Sequence, residues 1–193
     1  MSNALKYDYY PDSLRDELLD GQLVAMAPMA SPSHADVVVN ITRIFSNFLL
    51  GKTCKVYPDS VDVFLSESDR VVPDVSVVCN RDIIKHNGIH GAPDLVVEVL
   101  SRSTASRDRG YKKSLYEKHG IKEYWLVDIG NRIIEVYLLK AGRYEISGTY
   151  AAYDDWELED MPEERRHFVR MEFKTSIFDD LIISVEDVFR GVL

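Results

Sequence analysis

Asp94, Glu98, Asp108, Lys112 and Tyr116 are residues whose types and spacing invite chemistry. Glu98 interrupts the apolar run from Leu95 to Leu100. A run of that kind reads as a strand covered on both faces, and a carboxylate inside it is costly unless a cation meets it. Glutamate is almost never fully buried without a partner. Side chains alternate along a strand, so Asp94, Val96 and Glu98 share one face. Two acids at the end of a buried strand suit a hard cation that takes oxygen ligands. The plainer alternative is an ion pair with a Lys or Arg and no chemistry. Further on, Asp108, Lys112 and Tyr116 recur at four-residue spacing on one helical face, which a crossover helix turns back toward the sheet and Glu98. As a mere surface pair, Asp108 and Lys112 would contribute only a few tenths of a kcal/mol.

The elements that must position these residues are a strand, a helix and a strand. The helix takes its N-cap from Ser103, Thr104 or Ser106 and stops at Gly120. Glu123 to Asp128 forms the second strand, so the segment is a βαβ unit with a right-handed connection. Upstream, residues 1–10 read as an arm, Asp12 to Leu19 as a short helix ending at the Asp20-Gly21 turn, and Gln22 to Ala27 as a strand. Ser31 or Ser33 caps a long helix that runs to about Leu50, with Gly51 as its stop. Its apolar stripe is Val37, Ile41, Ile44, Phe45 and Phe48, and His34 falls in its first turn. Val61 to Leu65 and Val71 to Val78 read as a hairpin, with Pro73 marking a strand end or edge. Residues 80–92 form a loop with one helical turn and exposed His86 and His90. Ile133 to Leu139 and the strand from Tyr144 make an antiparallel meander, followed by an acidic surface excursion over 152–166. Ser184 and Asp187 loosely match a capping box before a closing helix.

Six segments in order, ELLDGQLVAM (17–26), SPSH (31–34), PDVSVV (73–78), PDLVVEVLS (93–101), DRGYKKSLY (108–116) and GIKEYWLVD (120–128), resemble the PD-(D/E)XK nuclease superfamily. The likeness is closer to its Uma-type family of restriction endonucleases. The resemblance implies an α/β, restriction-endonuclease-like fold with a central mixed β-sheet flanked by α-helices. It implies metal-dependent hydrolysis of DNA phosphodiesters, with Mg²⁺, or Mn²⁺ in its place, held by Asp74, Glu98 and the Val99 carbonyl. Asp74 matches the metal-bridging aspartate of the superfamily, with Asp94 as its competitor. The superfamily pattern expects a lysine two residues after the strand acid, but this chain has Leu100 there. The resemblance therefore points to Lys112 on the following helix, oriented by Asp108 and backed by Tyr116. Glu17 is the acid that an N-terminal helix would add, and His34 is a secondary candidate for positioning a phosphate or a water.

The 193 residues suit one domain, 1–193, with a sizeable core. No apolar run approaches the roughly 20 residues of a membrane span, and MSNALKYDYY carries no signal-peptide core. Cys54 and Cys79 have no metal-ligand spacing and read as reduced core thiols in a cytoplasmic protein, with a disulfide between them as the lesser alternative. No phosphate-loop, dinucleotide or G-x-S-x-G motif is present. The net charge of −9 argues against broad, non-specific nucleic-acid binding. Locally the balance reverses: residues 102–122 carry seven Lys/Arg and two acids, Asp108 and Glu117. DNA is the expected partner and a homodimer the expected assembly. Two rival readings remain: a catalytically inactive module of the same fold that binds DNA or protein, and a metal-free hydrolase using Asp94 and Glu98 as paired acid and base.

Overall fold

The computed structural model describes residues 16–26 and 31–192. The chain opens with a hairpin, Asp16–Leu19 (β1) and Gln22–Ala25 (β2), followed by a long helix, Pro32–Phe48 (α1). Five short strands come next: Lys55–Pro58 (β3), Val63–Phe64 (β4), Arg70–Val71 (β5), Val75–Val78 (β6) and Ile84–Lys85 (β7). Gly88–His90 (β8) and Leu95–Val99 (β9) lead into a helical segment made of Ala105–Arg107 (α2), a π-turn over Asp108–Lys112, and Lys113–Lys118 (α3). Glu123–Asp128 (β10), Ile133–Lys140 (β11) and Arg143–Ala151 (β12) follow. The acidic excursion holds two short helices, Asp155–Asp160 (α4) and Glu163–Arg166 (α5). Glu172–Lys174 (β13), Ile182–Ser184 (β14) and Val185–Val188 (α6) close the described chain.

The central sheet has the order β12-β11-β10-β9-β6-β3. It is mixed: β9 and β10 run parallel, as the crossover helix requires, and the other neighbours pair antiparallel. Alternation along β9 divides the core. Leu95, Val97 and Val99 join Val37, Ile41 and Phe45 of α1 and the C-terminal segment in one cluster. Val96 packs on the other face with Leu115 and Tyr116 of α3 and with Leu19, Val63, Val71 and Ile89 of a second sheet, ordered β2-β1-β5-β4-β8-β7. The expected α/β architecture of helices flanking a central mixed sheet is therefore present. Among the described residues no helix is long and apolar enough to cross a membrane.

Several sequence expectations need correction. Asp16–Leu19 is a strand, not the end of a helix. Asp20 and Gly21 both have positive φ, 52° and 76°, the geometry of a type I′ turn, which joins two strands. The arm, the proposed helix start at Asp12, and Ala27 lie outside the described residues. Val71 to Val78 is not one strand: β5 pairs with β4 as the expected hairpin, whereas β6 crosses into the central sheet. The break falls at Pro73, which cannot donate to a ladder. The 80–92 loop contains the β7–β8 hairpin, and β3 has no counterpart in the sequence reading. Ser184 makes no side-chain cap. Cys54 and Cys79 are joined in a disulfide rather than reduced. Lys55 pairs with Val78 in the β3–β6 ladder, and continuing that register by one residue sets the two cysteines opposite each other. The cytoplasmic placement drawn from reduced thiols loses that support.

Candidate active site

The β6–β9 register pairs Val75 with Val97; continued by one residue, it sets Asp74 opposite Glu98. Asp74 Oδ2 accepts from the Val99 amide at 2.6 Å, while Oδ1 lies 3.0 Å from His34 Nε2 at the start of α1. Ser31 caps that helix by accepting from the His34 amide at 3.2 Å. Two elements distant in sequence thus fix both oxygens of one carboxylate.

Glu98 is buried on the α3 face of β9. Its Oε1 accepts from Lys112 Nζ at 3.0 Å and from the Tyr116 hydroxyl at 2.5 Å. The helical spacing noted in the sequence therefore acts at Glu98. The segment bearing Asp108 and Lys112 is a π-turn, a widening of the helix that recurs at functional sites. Lys112 Nζ also lies 2.8 Å from Glu17 Oε1 and 3.9 Å from Asp108 Oδ1. Glu17 is fully buried on β1, and its Oε1 additionally accepts from the Val72 amide at 3.1 Å. It reaches the cluster from a strand, not from the expected helix. The Tyr124 hydroxyl donates to the Asp108 carbonyl at 3.0 Å and ties the turn to β10.

Electrostatically the cluster is short of positive charge. Burial holds the Glu98 carboxyl well above the usual carboxylate range; Lys112 pulls it back, while Asp74, Asp108 and Glu17 push it further up. Burial raises Asp108 as well, against the pull of Lys112. Lys112 is raised despite burial, because Glu98, Glu17 and Asp108 surround it. Burial alone would lower His34, but the Asp74 hydrogen bond and the charges of Asp74, Asp59 and Asp108 raise it. Burial, reinforced by Glu98, raises the Tyr116 phenol so that it remains a donor.

Asp94 lies apart from this cluster. Its Oδ2 accepts from the Cys79 amide at 2.7 Å and its Oδ1 from Lys122 at 2.7 Å. Four residues of extended chain set it about 13 Å from Glu98, so the proposed Asp94–Glu98 acid–base pair does not form. Lys113 stacks over the Tyr137 ring at 3.6 Å. His86 and His90 are exposed, as expected. Sequence reasoning missed Arg107, whose Nη1 lies 3.9 Å from Glu17 Oε2. Only the arginine-rich turn before the helix hinted at it.

The donors gathered here are carboxylate oxygens, the ligand type that a hard divalent cation takes. Glu17 Oε2 and Asp108 Oδ1 are buried carboxylate oxygens with no hydrogen-bond partner among the described residues. Three acids, Glu17, Glu98 and Asp108, face Lys112; among the described residues His34 lies against Asp74 and Arg107 near Glu17. Among the described residues no three His, Cys, Asp or Glu side chains form a ready metal cage.

Comparison with known proteins gives this arrangement a context. The family model Uma2, described as "Putative restriction endonuclease", matches residues 5–169. Two uncharacterized proteins of Synechocystis sp. are similar. One, slr1290, is 34% identical over 125 residues, 64% of this chain and 65% of that protein. The other, sll1609, is 25% identical over 118 residues, 59% of this chain and 66% of that protein. The chain thus spans just under two thirds of the length of these curated relatives. A crystal structure described as "a putative nuclease belonging to DUF820" from Anabaena variabilis ATCC 29413 matches with a TM-score of 0.69, covering 92% of this chain and 91% of that one. At 19% identity that likeness is one of fold.

Proposed function

The chain belongs to the Uma2 family, and from that premise we propose that it is a metal-dependent endonuclease that hydrolyses phosphodiester bonds in DNA. The observation that carries this reading is Lys112, delivered by the crossover helix to 3.0 Å from the strand carboxylate Glu98, beside an aspartate from the neighbouring strand. Asp74, Glu98 and the Val99 carbonyl would hold Mg²⁺ or Mn²⁺, with Glu17 as an outer acid. The ion, when bound, polarises the phosphate and acidifies a water.

The chain's own residues supply the rest. Val99 N–H and His34 hold the Asp74 carboxylate in one orientation. Tyr116 and Lys112 do the same for Glu98. Lys112 stabilises negative charge developing on the phosphate oxygens, a role suited to a cation in a site that excludes water. Asp108 and Glu17 keep Lys112 charged and aimed. DNA is the proposed partner, and a homodimer the proposed assembly, because a two-fold pair presents one site to each antiparallel strand.

Plasmid nicking in Mg²⁺ and in Mn²⁺ tests the reading, with wild type, Asp74→Ala and Lys112→Ala. Wild type should nick, and both variants should lose cleavage. Lys112→Ala should still bind Mn²⁺ in a calorimetric titration, because lysine is not a ligand. Equal cleavage by wild type and Lys112→Ala would refute the proposed role of the helix lysine.

A further inference from the structure

The charged side chains of the cluster divide by depth. Glu17, Glu98, Asp108 and Lys112 form a floor in which no side chain is more than 5% exposed. The Lys112 ammonium is directed at three carboxylates of the protein itself. Asp74, His34 and Arg107, at 17%, 16% and 22%, form the rim. A substrate phosphate approaching from solvent meets the rim first, and the acids of floor and rim repel it.

Arg107 is the permanently charged cation of that rim, and among the described residues it has no close acceptor. Its Nη1 lies 3.5 Å from the Ala25 carbonyl, at the outer limit of a hydrogen bond. Glu17 Oε2 is 3.9 Å away, beyond bonding distance. Its Nε is buried and has no acceptor among the described residues. Buried donors are rarely left unpaired, and a guanidinium offers a planar fork that matches phosphate oxygens. We propose that Arg107 is a substrate-contacting residue that grips a backbone phosphate of the nucleic acid at the mouth of the site, while Lys112 acts from beneath. This rests on the nuclease reading above.

The test is fluorescence anisotropy of a short labelled DNA duplex in Ca²⁺ across a KCl series, with wild type, Arg107→Gln, Arg107→Lys and, as a control at the exposed β11–β12 hairpin, Lys140→Ala. Arg107→Gln keeps a polar, hydrogen-bonding side chain but removes the charge. It should bind about tenfold more weakly, as loss of a charged hydrogen bond predicts. Its slope of log affinity against log salt should fall by about one unit. Arg107→Lys should retain the slope but not the full affinity, because an ammonium lacks the fork. Lys140→Ala should match wild type. Wild-type affinity and slope in Arg107→Gln would overturn the assignment and leave Arg107 as a structural partner of Glu17. Absence of any DNA affinity in wild type would overturn the nuclease reading itself, and this assignment with it.

Discussion

Replacing Lys112 with methionine keeps much of the side chain's apolar bulk but removes the ammonium that Glu17, Glu98 and Asp108 share at 2.8, 3.0 and 3.9 Å. Removing one partner of a buried ion pair costs about 3–5 kcal/mol. The lower end applies here, since Glu98 can escape by taking up a proton. Its carboxyl is already raised by burial, with Lys112 the largest opposing influence. A loss of about 3 kcal/mol at about pH 8 lowers Tm by roughly 6–12 °C for a chain of this length. The pH dependence has a definite sign. A carboxyl whose folded pKa lies above its unfolded value of about 4.3 binds its proton more tightly in the folded protein. Stability is then highest below that value and falls as pH rises through the folded pKa. Losing Lys112 raises the folded pKa of Glu98 further, so the deficit of the variant grows as pH rises through and above the already raised folded pKa of wild-type Glu98. It shrinks in acid, where wild type instead carries an ammonium without ionised partners. A divalent cation held by the cluster, as proposed, would restore the missing charge. Mn²⁺ at a hundredfold excess over its Kd should return about 2.7 kcal/mol, and should raise the Tm of the variant more than that of wild type. Urea and thermal melts in EDTA and in Mn²⁺, at mildly acid and mildly alkaline pH, measure all three effects. A Lys112→Met protein as stable as wild type at alkaline pH in EDTA would refute the countercharge argument.

His34 provides a second pH signature. Its folded pKa is raised, chiefly by Asp74 against the effect of burial, so the stability it contributes is fully present below its unfolded value of about 6.5. That contribution disappears as pH rises through the folded pKa, and His34→Gln should converge on wild type at alkaline pH. In Asp74→Asn, burial should prevail and the His34 ring should titrate lower by NMR; an unmoved titration would break the link between the two. Cys54 and Cys79 close a loop with a sequence separation of 25. The chain-entropy relation assigns such a loop about 3.5 kcal/mol, so Cys54→Ser should show that deficit in urea melts under non-reducing conditions. Identical melts would mean the bond adds nothing in solution.

Local pattern determined much of this protein. The apolar runs around Glu98 and at Glu123 to Asp128, with a capped and periodic segment between them, specify a parallel βαβ unit, since hydrophobic periods of two and of 3.6 are written in adjacent residues. The four-residue spacing of Asp108, Lys112 and Tyr116 likewise put Lys112 and Tyr116 within reach of Glu98. The Asp20-Gly21 pair also carried its message, a hairpin turn, although the flanking Glu17-Leu18-Leu19 reads equally well as helix by propensity. Tertiary structure alone decided the rest. Asp74 rather than Asp94 stands beside Glu98 because of the β6–β9 register, and each aspartate follows a proline, so nothing in their immediate sequence separates them. His34 meets Asp74 across 40 residues of chain, and Glu17 meets Lys112 from a second sheet. The disulfide depends on β3, a strand too short and too polar to announce itself. Arg107 reaches the rim only because the hairpin β1–β2 folds against the helix. Periodicity fixes which face of an element is buried; which groups meet on that face depends on register and packing between elements, and no short stretch of sequence contains either.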